Sequence, residues 1–241
     1  MSNKYFGFLI PVSFFALIIF SGCVTAPVHN DPKLSNIPSL YDKARAMKKI
    51  DVIIPYVSIY EVNTGGVSEE RDDWEAEAYS RITEKIRETF KKRGIETVFI
   101  RITDQNKEDF RDVSALAREV TDAVTDHTYY KNDLYFAENA KHFEYSVGSV
   151  GSILKKYPAD GVLFFSADAS ILSAGRQAVG LMVSIPVGHT FLRGLVCDEG
   201  GTVLWSNYRH FWGLERNFMK EFDDSMFSAL TVDSRGVKWE K

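Results

Sequence analysis

The stretch Phe191 to Tyr208, Phe-Leu-Arg-Gly-Leu-Val-Cys-Asp-Glu-Gly-Gly-Thr-Val-Leu-Trp-Ser-Asn-Tyr, constrains the fold more than any other. Two runs rich in Val, Leu, Phe and Trp flank Asp198-Glu199-Gly200-Gly201, a polar connection whose glycines can take the positive φ of a tight turn. This is a β-hairpin, and a pair of strands so apolar needs further strands and a covering layer to bury its faces.

The segments before it supply them. Lys49 to Tyr60 is dense in β-branched and aromatic residues and reads as the first strand, with Pro55 forcing either an edge position or an end near Ile54 and a restart after a bulge. Glu61 to Arg71 is a loop; Asp72 or Asp73 then caps a helix to Arg93, with Trp74, Ala78, Ile82, Ile86 and Phe90 at helical spacing and Gly94 as its stop. Ile95 to Ile102 alternates like a strand, so the order strand, helix, strand predicts a crossover and a parallel pair.

A helix is predicted near Val113 to Val124, and a longer one over Phe136 to Tyr157 from the spacing of Phe143, Val147, Val150, Leu154 and Tyr157, punctuated by Gly148 and Gly151. Val162 to Phe165 is an apolar run suited to a central strand buried on both faces. Ala167 to Gln177 reads as a small-residue crossover and Val179 to Val187 as another strand. After the hairpin, Phe218, Phe222, Met226 and Leu230 set a closing amphipathic helix over Asn217 to Leu230, and Val237 and Trp239 suit a short edge segment. The expected fold class is a single α/β domain with a mixed sheet of about five or six strands, packed helices and a C-terminal antiparallel hairpin. Its expected core is Val52, Ile54, Ile82, Ile86, Val98, Ile100, Val150, Leu154, Leu163, Phe164, Val196 and Leu204.

The N-terminus has the grammar of a secretory signal: Lys4, an apolar run from Tyr5 to Phe20, then Ser21-Gly22-Cys23. This end resembles the lipobox of bacterial lipoproteins, in which the cysteine is diacylated before signal peptidase II cleavage and becomes the mature N-terminus; Phe20 departs from the Leu, Val or Ile usual three positions before it. The resemblance divides the chain into a signal peptide over 1–22, a tether over 23–47 and a periplasm-facing domain over 48–241. It implies a lipidated Cys23, whose acyl chains anchor the protein to a membrane. Val24 in place of Asp after that cysteine implies outer-membrane sorting. An uncleaved membrane anchor is the alternative, opposed by Pro27 and the small polar residues that follow. Three prolines, Pro27, Pro32 and Pro38, and no sustained apolar period mark the tether, with a short helical turn around Leu40 to Ala46.

Charge and motifs narrow the chemistry. The chain has 29 basic and 33 acidic residues, and removing 1–22 takes away Lys4 alone, so the acidic excess widens and disfavours a nucleic-acid binder. His29, His127, His142, His189 and His210 show no metal-ligand spacing with one another or with cysteine, and neither a metal nor a cofactor is implied. Cys197 lies in an apolar strand as a buried, inert thiol. Ser166-Ala167-Asp168-Ala169-Ser170 follows an apolar strand, where α/β folds place reactive groups, yet Gly148-Ser149-Val150-Gly151-Ser152 lacks nucleophile-elbow spacing and no phosphate loop occurs. Asp160 reads as a turn former.

The aromatics Tyr129, Tyr130, Tyr135, Phe136, His210, Phe211 and Trp212 remain uncommitted, either core or recognition surface. Tyr129 and Tyr130 sit in a charged insert and His210-Phe211-Trp212 at the hairpin's exit, which makes these five the candidate partner-binding residues.

Asp160-Gly161-Val162-Leu163-Phe164 and the later run Leu195 to Trp205 resemble a group of bacterial envelope lipoproteins that includes the curli-secretion lipoprotein, penicillin-binding-protein activators and domains similar to the TolB amino-terminal domain. The resemblance departs at Pro55 and in the charged insert before Phe136. It implies a non-enzymatic accessory or assembly factor that binds a protein partner in the bacterial envelope and carries no catalytic residues. A small-ligand or lipid-binding lipoprotein is the alternative and a hydrolase the third reading, and a homo-oligomer is left open.

Overall fold

A computed structural model describes residues 37–128, 144–177 and 188–212, together with Met226. Its order is α1 (Ile37–Ala46), β1 (Lys49–Ile53), β2 (Val57–Val62), β3 (Ser68–Glu70), α2 (Asp72–Lys91), β4 (Glu96–Ile100), α3 (Lys107–Thr128), α4 (Gly151–Lys156), β5 (Gly161–Leu172), β6 (Gly188–Cys197) and β7 (Val203–Trp212). This is the expected mixed α/β domain, and the seven strands among the described residues lie in one sheet.

Strand β5 is the spine. It pairs with β6 antiparallel from Val162–Cys197 to Ile171–Gly188 along one edge. Its other edge takes β1 and then β2, both parallel, laid end to end. Ile53 pairs with Phe164 and Val57 with Ala167, so the first segment carries one residue more than β5 over the same stretch. That is a bulge at Pro55, which has no N–H for the ladder, and it is the second of the two expected solutions. Outside this row, β4 lies parallel to β1 and β3 antiparallel to β2, while β7 completes the hairpin against β6.

Alternation assigns the two faces. Val52, Phe99, Leu163 and Val196 share one by register; Ile53, Phe164, Ser166, Leu195 and Arg193 share the other. On the first, the Arg87 guanidinium of α2 lies 4.9 Å from the Phe99 ring, and Met47 at the end of α1 abuts Gly161. On the second, Arg193 reaches Asp122 of α3. Trp205, Phe165, Leu163, Leu192, Ile82 and Ile86 are among the fully buried side chains of the core between these layers. Each such side chain contributes about 1.5–3 kcal/mol relative to exposure. Every residue of the expected core is buried except Val98, which is half-buried because β4 is an outer strand.

Several local expectations are corrected. The stretch 144–150 is not helical: Val147 N–H donates to the Gly201 carbonyl and Val150 N–H to Glu199, and Ser146 bridges Thr202. Gly148 (φ +71°) and Gly201 (φ +80°) meet so closely that a Cβ on Gly201 would lie 1.7 Å from the Gly148 carbonyl oxygen. The hairpin turn has taken these backbone groups, and only Gly151–Lys156 remains helical; 136–143 lie outside the described residues. Ala167 to Leu172 is not a crossover but the second half of β5, because ladders to β2 and β6 on both sides outweigh the weak strand propensity of alanine. Helix α2 starts after Arg71, whose side chain makes no cap bond; Asp72 and Asp73 stand in the first turn, where a negative charge suits the helix dipole. Helix α1 stands where a short helical turn is expected around Leu40 to Ala46; it buries Leu40 and Ala44, and Met47 just after it is buried too. The expected strand Val179 to Val187 and the closing helix lie outside the described residues, Met226 excepted: it is fully buried, and its carbonyl accepts from Asn207 Nδ2 at 2.6 Å.

Candidate functional site: a ladder of rings and charges on the hairpin

Three consecutive rungs cross β5, β6 and β7 on the face shared with α3. They are Ser166–Arg193–Tyr208, Asp168–Phe191–His210 and Ser170–His189–Trp212. The intervening residues Ala167, Leu192, Ala169 and Thr190 are buried on the opposite face. The period of two therefore divides each strand into core and site, and the turn at Asp198 to Thr202 sets which residues meet. That turn is closed by Thr202 N–H and Gly201 N–H, which donate to the Asp198 carboxylate and carbonyl, both at 2.9 Å.

Arg193 holds the ladder to α3. Its Nε donates to Asp122 at 3.0 Å and its Nη1 to Asp168. Burial works against the guanidinium charge, but the facing carboxylates, Asp168 above all, and the nearby Tyr56 phenol outweigh it and raise its pKa further. The guanidinium carbon lies 5.5 Å from the Phe191 ring and 5.9 Å from Tyr208. Beneath it, Arg118 of α3 sits 5.1 Å from the Tyr56 ring, and the space left among Tyr56, Ser114, Ser166 and Arg193 is about 10 Å³. That is the scale of one water, so the inner half of the site is a packed joint and not a substrate pocket.

The outer half is aromatic. Phe191 stacks on His210 at 4.3 Å and 22°, and on Tyr208 at 5.8 Å and 28°; His189 approaches Phe191 at 4.9 Å. Phe191, His189 and His210 are half-buried. Burial lowers the pKa of both imidazoles; Asp168 opposes this at His189, while His189 adds to it at His210. Both rings are accordingly neutral at neutral pH. The result is a patch of stacked rings with a fixed guanidinium at its inner border.

Serine, histidine and aspartate do meet here, but not as a relay. Asp168, the carboxylate such a relay would need, is engaged by Arg193. Cys197 is fully buried, with its thiol pushed up to about 12 by burial and then by the charge of Asp198, so it stays protonated. Among the described residues no group of three or more His, Cys, Asp or Glu is placed to hold a metal.

Of the residues singled out in the sequence, His210 lies in the patch. His210 to Trp212 stand within β7, not beyond the hairpin: the strand continues because β6 offers partners as far as His189. Phe211 pairs with Thr190 and Trp212 with His189. Tyr129 and Tyr130 lie outside the described residues, as does Cys23. Sequence reading missed Phe191, Arg193 and Asp122, and it named Asp168 only within the run Ser166 to Ser170, without a partner. The alternation of Phe191 and Arg193 with Leu192 and Gly194 was visible, but the pairing of Arg193 with an aspartate on α3 depends on tertiary contact. Comparison with family models, with curated proteins and with solved structures finds no match.

Proposed function

We propose that this protein is a non-enzymatic lipoprotein of the bacterial outer membrane, anchored through Cys23 on the periplasmic side, whose domain binds an envelope protein through the outer half of the hairpin. The observation that supports this reading is the stacked patch of His189, Phe191 and His210 beside Arg193. Rings and arginines supply most hot-spot energy at interfaces, and here they are already ordered, so little side-chain entropy is lost on binding. Phe211 and Trp212 belong to the same proposal as the continuation of β7, and Tyr129 and Tyr130 as residues of the adjoining insert.

The lipobox-like end supports a position near a membrane. Residues 24–36 separate Cys23 from α1 and, fully extended, reach at most about 45 Å. A domain on such a leash meets partners at or near the membrane surface, where anchoring raises their effective concentration.

Two measurements test the reading. Cys23→Ser should move the protein out of the membrane fraction and abolish signal-peptidase-II processing; an intact chain still carrying Met1 in native membranes would support the uncleaved anchor instead. His210→Ala should weaken partner capture by about 2 kcal/mol while leaving the melting temperature nearly unchanged. A large loss of stability with capture intact would return the ring stack to a packing role.

A further inference from the structure

Away from the hairpin, a groove of about 510 Å³ runs along α2 beside the end of β4. Its size lies within the roughly 300–1,000 Å³ usual for small-molecule sites. Tyr79, Ser80, Thr83 and Arg87 line it from successive turns of α2, and Arg101 closes it from the residue after β4. Among the described residues neither guanidinium has a carboxylate partner: the acidic residue in the wall, Glu84, pairs with neither. This contrasts with Arg71, Arg81, Arg111 and Arg193, each held by an acid.

Part of the donor set is restrained. Arg87 lies 4.9 Å from the Phe99 ring, a cation–π contact that holds it against the sheet. Thr83 Oγ1 is buried without a hydrogen-bond partner. Burial raises the Tyr79 pKa, with Arg101 close enough to oppose it, so the phenol remains a neutral donor. Two guanidiniums and three hydroxyls offer more donors than the two oxygens of a carboxylate can use, whereas a phosphate presents oxygens on several sides.

We propose that the groove between α2 and β4 binds a phosphate group, carried either by a free phosphate compound or by a phospholipid headgroup. This site is separate from the hairpin patch and does not depend on the partner-binding reading.

Calorimetric titration of the full-length chain in neutral detergent tests it with three probes: orthophosphate, glycerophosphoglycerol as a soluble headgroup diester, and acetate. Saturable binding of orthophosphate or the diester, weakened at least about tenfold in the Arg87→Gln, Arg101→Gln double variant and unchanged in Arg111→Gln, supports the site. Preference for the diester assigns a lipid headgroup, and preference for orthophosphate assigns a free phosphate compound. Both substituted arginines are exposed, so the melting temperature of the double variant should match the parent; if it does not, the milder Thr83→Val, which removes the buried hydroxyl donor, should still weaken binding. The proposal is overturned if neither phosphate probe saturates, if acetate binds as tightly, or if the variants bind phosphate like the parent.

Discussion

Replacing Asp51 by valine should stabilise this protein, and the gain should grow with pH. Asp51 is fully buried at the centre of β1, between Val98 of β4 and Val162 of β5 in the register, and neither carboxylate oxygen has a hydrogen-bond partner. Burial pushes its pKa from the ordinary 3.8 to about 6, with Lys49 opposing. Between those values the folded chain retains a proton that the unfolded chain has released. This group's stabilising contribution is therefore full below the ordinary carboxylate range and lost as pH rises through about 6. By neutral pH the ionised side chain costs about 3 kcal/mol. Valine removes the charge, satisfies the apolar surroundings and suits a strand. Urea unfolding of parent and variant at about pH 5 and about pH 8 should show the variant ahead by about 3 kcal/mol at the higher pH and by less at the lower. A variant less stable than the parent, or a gap independent of pH, would refute the buried, unpartnered carboxylate.

Three further outcomes test the surrounding architecture. Gly201→Ala should cost about 3 kcal/mol, measured by chemical unfolding, because its positive φ and the approach of the Gly148 carbonyl leave no room for a Cβ. Asp160→Ala should cost about 1 kcal/mol after solvent screening, since its carboxylate accepts from Lys48 and Lys49 N–H at 2.6 and 2.9 Å. These bonds lower the Asp160 pKa, so its contribution should be present above the ordinary carboxylate value and fade as pH falls through the folded one, which parallel acid titrations of parent and variant would register. Arg193→Met should cost about 2–4 kcal/mol by leaving Asp122 and Asp168 unneutralised, and a double-mutant cycle with Asp168→Leu should recover part of that loss.

Much of the scaffold was legible because its signals are local. Ile82, Ile86 and Phe90 repeat with the helical period and form the buried stripe of α2, and Pro55 announced the break in the first strand. The turn residues at Asp198 to Gly201 placed the hairpin. What failed depended on contacts distant in sequence. Val147, Val150 and Leu154 have helical spacing and are indeed buried, yet Val147 and Val150 belong to an irregular segment held by the hairpin turn. Ala167 and Ala169 looked like loop residues until strands on both sides were known. In the site, alternation along β6 marks Phe191 and Arg193 as one set, but only the register supplies His210 and Tyr208, and only the packing of α3 supplies Asp122. The same holds for Asp51, whose sequence neighbours give a strand but no hint that its carboxylate lacks a partner.

Photocrosslinking in intact cells tests the central claim most directly, with a photoreactive residue at position 210 in the Cys23 parent and in Cys23→Ser. An envelope lipoprotein that uses the hairpin patch should give a discrete adduct to one envelope protein in the parent, weakened when Phe191→Ala is added and strongly reduced when the anchor is removed. Absence of any protein adduct, or the same adducts with and without Cys23, would contradict it.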